Sequence, residues 1–214
     1  MAYAGSEPTP TPTPTSGSGP GPGTGPGPER LPAAVKILIS GGFGVGKTTM
    51  VGAVSEVPPL RTEEVITQES QGIDDLTGVE AKTTTTVALD FGRITLGRGL
   101  VLYLFGTPGQ DRFWFMWDEL AVGAIGAIIL ADPRRLADSF PAIDYFEVRG
   151  LPFVVAVNCF DGVSEFGIEE VTDALDLDPH VPVVMCDARS RDSGKHAMVT
   201  LMEHVVAIRT PVRG

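Results

Sequence analysis

Apolar, largely β-branched residues gather in short runs along the chain: Val35–Ser40, Thr86–Ile94, Leu100–Phe105, Gly126–Asp132, Phe153–Asn158 and Val181–Cys186. Four of these runs are nearly unbroken, as expected of strands buried on both faces. Between them, apolar and polar residues mix at helical spacing over Lys47–Ser55, Arg112–Val122, Arg135–Val148, Ile168–Leu175 and Lys195–Arg209. This alternation predicts an α/β domain with a mostly parallel, six-stranded sheet. One pair of runs breaks the alternation. Thr86–Ile94 and Leu100–Phe105 are joined only by Thr95-Leu96-Gly97-Arg98-Gly99, a hairpin-length turn, so the first of them is expected as an antiparallel edge strand. Pro141 inside the third helical stretch predicts a late start or a kink there.

Composition divides the chain near residue 31. Residues 1–31 are dominated by Pro, Gly, Ser and Thr, with alternating Gly-Pro from Gly19 to Pro28. With little apolar surface to offset the entropy of ordering, this tail is expected to be disordered. Residues 32–214 are long enough to bury one core. The net charge of −11 argues against nucleic acid and against an anionic membrane surface as partners. Two cysteines, Cys159 and Cys186, make no disulfide framework. The longest apolar run, Leu120–Ala131, falls short of the about 20 residues a membrane-spanning helix needs. With no Gly at position 2 and no C-terminal Cys, lipid anchoring is not expected. A cytoplasmic protein without direct membrane insertion is expected, reaching a membrane only through a partner.

The chemistry begins at Gly41-Gly42-Phe43-Gly44-Val45-Gly46-Lys47-Thr48, which fits G-x-x-x-x-G-K-[ST]. It follows a predicted strand and opens a predicted helix, the context that pattern requires. Backbone N–H groups of Gly42 to Thr49 are expected to wrap phosphate oxygens, helped by the helix N-terminus. Lys47 would reach the outer phosphates and the Thr48 hydroxyl would ligate Mg²⁺. Phe43 is a large ring in this loop. It either crowds the γ-phosphate, blocks an arginine supplied by a partner, or folds away onto a neighbouring loop.

Asn158-Cys159-Phe160-Asp161 ends the fifth predicted strand and resembles the Asn-Lys-x-Asp motif of small GTPases, with Cys159 in place of the lysine. The resemblance implies that Asp161 accepts hydrogen bonds from guanine N1 and N2. Cys186-Asp187-Ala188-Arg189 is similar to the Ser-Ala-Lys loop of the same proteins, which assigns Ala188 N–H to the guanine oxygen. Thr86-Val87-Ala88-Leu89-Asp90-Phe91 resembles the segment carrying the threonine that senses γ-phosphate and metal, and Thr86 is its counterpart within Thr83–Thr86. Leu104-Phe105-Gly106-Thr107-Pro108-Gly109-Gln110 takes the place of the Asp-x-Ala-Gly-Gln switch. There Gly109 N–H would meet the γ-phosphate and Gln110 would orient attacking water. Gly106 replaces the metal-holding Asp; Asp132 is one conceivable substitute, and a metal held by Thr48, Thr86, phosphates and water is the other.

Together these motifs make the chain resemble a Ras-like small GTPase, a three-layer P-loop NTPase. Within that class it is similar to the bacterial MglA group, and more closely to the small GTPases of actinobacterial conservon operons. The resemblance covers residues 35 to the C-terminal helix. It implies GTP/GDP and Mg²⁺ as ligands, and two partners: a roadblock-type small protein and a membrane-bound histidine-kinase-like sensor. MglA-type proteins carry an arginine just before the switch threonine, where this chain has Thr85. Lys82, Arg93 and Arg112 are alternative cations, with solvated surface charge as the plain reading. Phe113-Trp114-Phe115-Met116-Trp117 beside the switch is equally a core element or a partner surface.

Three functions follow. The leading one is a switch that hydrolyses GTP slowly, with Lys47 and Gln110 as its catalytic side chains. The second is a nucleotide-binding scaffold of a sensor complex that does not turn its ligand over. The third is an ATP-dependent kinase or motor domain, which requires Asn158 and Asp161 to be structural.

Overall fold

The computed structural model describes residues 33–58, 60–67, 84–97, 99–109, 113–159 and 166–210. The chain builds, in order, β1 (Ala33–Gly41), α1 (Lys47–Val54), β2 (Leu60–Thr67), β3 (Thr84–Leu96), β4 (Leu100–Gly106), α2 (Phe115–Ala121), β5 (Ala124–Ala131), α3 (Phe140–Arg149), β6 (Phe153–Asn158), α4 (Ile168–Ala174), β7 (Val183–Cys186) and α5 (Arg191–Arg209). The strands form one sheet in the order β2-β3-β4-β1-β5-β6-β7. All neighbouring pairs from β4 to β7 are parallel, while β3 runs antiparallel to both β2 and β4. The α/β class and the single antiparallel strand are therefore as expected. A seventh strand, β2, is added outside β3, so β3 is not the edge.

The unbroken apolar runs have a simple cause. In β1, Ile37 and Ile39 point into one buried layer and Leu38 into the other, as period-two alternation dictates. The first layer is closed by Met50, Val51 and Val54 of α1 and by Met198, Leu201 and Val205 of α5. The second is closed by Trp117 of α2, Ile143 and Phe146 of α3, and Val171 of α4. Helices α1 and α5 meet closely at Gly194, where a Cβ would lie 2.5 Å from a Val54 methyl carbon.

Helix ends obey local chemistry. Ser190 caps α5 by accepting the Ser193 N–H, so α5 starts before the expected Lys195. Pro141 sits in the first turn of α3, where its missing N–H costs nothing, and the helix starts late rather than kinking. Among the described residues no helix is long and apolar enough to cross a membrane.

Candidate functional site

Parallel pairing brings the C-terminal ends of β1, β4, β5 and β6 to one rim of the sheet, the position where α/β folds bind ligands. Residues 41–48 form the turn from β1 into α1 there. Gly46 adopts a φ of 112°, and a Cβ on it would sit 2.9 Å from the Asn158 amide nitrogen, so only glycine fits the entry to α1. Val45 and Lys47 are buried, whereas Gly44, Thr48 and Thr49 are exposed. Phe43 is 66% exposed, so its ring does not fold onto a neighbouring loop.

The Lys47 ammonium donates to the carbonyls of Gly41 at 2.8 Å and Gly42 at 2.7 Å. Burial lowers its pKa from 10.5 to about 8, and attraction to the Asp90 carboxylate partly opposes the shift. Gly109 closes over this ammonium: a Cβ there would be 2.6 Å from Lys47 Nζ and 3.0 Å from the Phe43 nitrogen. The segment from Thr107 to Gly109 is pinned on two sides. The Thr107 and Ser40 hydroxyls are hydrogen-bonded at 2.9 Å, and the Trp117 indole N–H donates to the Pro108 carbonyl at 3.1 Å. The aromatic run thus divides: Phe113, Met116 and Trp117 are buried, while Trp114 and Phe115 are exposed.

A carboxylate from the next strand stands beside Gly106. Asp90 of β3 accepts the Thr48 hydroxyl at 2.5 Å, and a Cβ on Gly106 would lie 3.0 Å from the Asp90 Cβ. A hydroxyl and a carboxylate at the phosphate end of α1 are hard oxygen donors of the kind Mg²⁺ prefers, and that ion keeps several waters. No cage of three or more acidic, His or Cys side chains occurs among the described residues, and such an ion does not need one. The Asp132 carboxylate is already taken up by arginines. It is buried and held by Arg134 in two contacts of 2.9 Å, with Arg135 at 3.5 Å. The Arg134 hydrogen bond keeps its carboxyl below the ordinary range. It is therefore no substitute for the absent Asp.

Asn158 is buried at the end of β6 and ties the rim together. Its amide donates to the Val45 carbonyl at 2.8 Å, and its Oδ1 accepts the Ala188 N–H at 3.0 Å. Ala188 N–H is thus engaged by Asn158, and a base oxygen at that point would share it. Cys159 and Cys186 are buried free thiols, and burial pushes the Cys186 thiol above its ordinary value; they pack as small apolar groups. Replacing Asn158 with alanine strands the Val45 carbonyl and the Ala188 N–H. The expected cost is about 2–4 kcal/mol of stability, read by denaturant unfolding.

Not every candidate joins this cluster. Thr86 lies in β3 opposite Val65, four residues from Asp90 and so about 13 Å along the strand from the Thr48 contact. Arg93 stands at the far end of α1, its N–H donating to Ser55 Oγ at 3.2 Å. Gln110, Asp161, Lys82 and Arg112 lie outside the described residues. Asp90, which accepts the Thr48 hydroxyl, and Arg135, whose guanidinium donates to the Phe43 carbonyl at 3.2 Å, belong to the site although nothing in the motif pattern singles them out; the signal for Asp90 is its place opposite Gly106 in the β3–β4 hairpin.

A mostly parallel sheet with a phosphate loop after its first strand, and Asn158 bridging that loop to the β7 end, defines a nucleotide-binding P-loop protein of GTPase-like fold. The chain belongs to the family described as "Conserved hypothetical ATP binding protein", whose model matches residues 39–208. An uncharacterized protein of Methanocaldococcus jannaschii is 29% identical over 139 residues, 64% of this chain and 77% of that one. Among solved structures, the cytosolic domain of the T. maritima FeoB iron transporter in a GDP form superposes with a TM-score of 0.57 at 18% identity. That match covers 82% of this chain and 65% of the FeoB domain, so the chain spans under two thirds of its length. The FeoB G-domain from Methanococcus jannaschii gives a TM-score of 0.53 at 13% identity over 81% of this chain and 98% of that domain.

Proposed function

We propose that the protein is a guanine-nucleotide-binding switch that slowly hydrolyses GTP to GDP and passes its state to partner proteins. The observation that carries this reading is the Asn158 cross-link. It joins the phosphate loop to the loop after β7 at the point where a base beyond the phosphates would lie. Asp161, three residues further on, is the proposed reader of guanine N1 and N2.

Hydrolysis on this reading is attack of a water oxygen on the γ-phosphorus, with the bond to the bridging oxygen breaking toward the diphosphate. Lys47 offsets charge at the outer phosphates, Gly109 offers its N–H to the γ-phosphate, and Gln110 orients the water. Thr48 and Asp90 would hold magnesium, which when bound neutralises phosphate charge. Thr86 joins them only if β3 shifts. Replacing Gln110 with alanine should lower phosphate release while sparing nucleotide affinity; unchanged turnover would remove that role.

The ATP in the family description supports a second assignment of the base, and one experiment separates the two. Purified chain is denatured, any released nucleotide is identified, and phosphate release is followed with GTP and with ATP. Released GDP with GTP-selective turnover supports the switch. Adenine selectivity overturns the guanine assignment, and bound nucleotide without turnover favours the scaffold reading. The proposed partners remain a roadblock-type small protein and a membrane sensor of the conservon and MglA kind. Phe43, Trp114 and Phe115 are exposed apolar groups near the switch and support a protein-binding surface there.

A further inference from the structure

The turn between β5 and α3 packs directly on the phosphate loop. Its first carboxylate, Asp132, is occupied by the Arg134 guanidinium, which bonds both carboxylate oxygens at 2.9 Å. Further on, the Asp138 backbone and side chain press against Gly42, where a Cβ would lie 2.7 Å from the Asp138 Cβ. Between these anchors stands Arg135. Its guanidinium donates from Nη2 to the Phe43 carbonyl at 3.2 Å, and the same nitrogen is 4.0 Å from where a Gly44 Cβ would be. Its carboxylate contacts are longer, at 3.3 Å to Asp138 and 3.5 Å to Asp132.

The Phe43 carbonyl and the Gly44 N–H belong to one peptide unit, and no cis bond occurs among the described residues. In a trans peptide the C=O and N–H point in opposite directions. A donor on the carbonyl therefore turns the Gly44 N–H away from Arg135, and it polarises that N–H as a donor. Gly44, at a φ of 74°, has no Cβ to hold this peptide in one orientation.

Resting on the nucleotide-binding reading above, we propose that Arg135 is a positioning residue of the phosphate loop. It clamps the Phe43–Gly44 peptide so that the Gly44 N–H faces the β- and γ-phosphates of a bound nucleoside di- or triphosphate. The arginine acts through the peptide and does not touch the phosphates. The ligand chemistry it serves is a polyphosphate chain, whichever base the nucleotide carries.

The test uses the full chain freed of nucleotide, with Arg135→Ala and Arg135→Lys variants. Affinities for the mono-, di- and triphosphates of guanosine and adenosine are measured, with a non-hydrolysable triphosphate in each series. Arg135→Ala should weaken di- and triphosphate binding by about ten-fold or more, the loss expected of one charge-assisted hydrogen bond. Monophosphate affinity and the thermal midpoint should stay unchanged, and Arg135→Lys should restore most of the loss. The Gly44 amide proton should shift strongly on diphosphate binding in the unaltered chain and in Arg135→Lys, and weakly in Arg135→Ala. Equal losses across all three phosphate lengths, or no loss in any, would overturn the clamp while leaving nucleotide binding intact. If the unaltered chain binds none of the nucleotides, the functional reading fails and the clamp with it.

Discussion

Replacing Asp90 with asparagine is expected to cut magnesium-dependent triphosphate affinity about ten- to hundred-fold, while affinity measured in EDTA hardly changes. Outer-shell partners of a metal typically contribute that much to its binding. Asparagine keeps the shape of the side chain and still accepts the Thr48 hydroxyl bond seen at 2.5 Å, so the fold is preserved and only the charge is lost. A charge-transfer variant sharpens the experiment. Because Gly106 and Asp90 face each other across β3 and β4, Asp90→Gly combined with Gly106→Asp returns a carboxylate to the same space from the neighbouring strand. It should recover part of the magnesium dependence. Titration of magnesium against each variant reads both results, and an unaltered magnesium response in Asp90→Asn would remove Asp90 from the metal site.

The second large effect centres on Lys47. Lys47→Met should lower nucleotide affinity about a hundred-fold, since a charged donor at the outer phosphates is lost. The same variant should change how the nucleotide-free chain responds to pH. Lys47 titrates at about 8 in the folded protein against 10.5 as its ordinary value, because burial disfavours the ammonium. Between those values the unfolded chain holds the extra proton, so stability rises with pH across that window. Below about pH 8 both states are protonated and the burial cost is present in full. The interval corresponds to about 3 kcal/mol. Unfolding curves at pH 7.5 to 10.5, the range set by this titration, should show the rise in the unaltered chain and not in Lys47→Met. A phosphate chain beside the ammonium would raise its pKa, so bound nucleotide should flatten the profile. Parallel profiles for the two proteins would contradict a buried, charged Lys47. The two predictions are coupled, because Asp90 is the carboxylate that opposes the shift.

Much of the fold is legible because burial writes itself into local pattern. Strands β1, β4, β5 and β6 have layers on both sides, so their runs are nearly unbroken in apolar residues. Strand β2 escapes that reading. Leu60–Thr67 reads Leu-Arg-Thr-Glu-Glu-Val-Ile-Thr, and an edge strand needs no continuous apolar run. The start of α5 is hidden by Gly194, which within a helical pattern reads as a breaker. In the folded chain it is the residue that lets α5 approach Val54 of α1.

The amino-acid sequence by itself determined the phosphate loop and the class of domain. Both depend on contiguous residues, whose backbone geometry and burial period are local properties. Tertiary structure alone decided which distant groups meet that loop. Asp90 reaches Thr48 because the hairpin register pairs Phe91 with Phe105 and so sets Asp90 against Gly106. Asn158 spans Val45 and Ala188 because β6 lies between β5 and β7 at the shared rim. Arg135 rests on Phe43 because β5 is the direct neighbour of β1, which carries the turn after one strand onto the turn after the other. Each contact joins residues whose separation along the chain says nothing of their distance in space, so only strand order and register could bring them together.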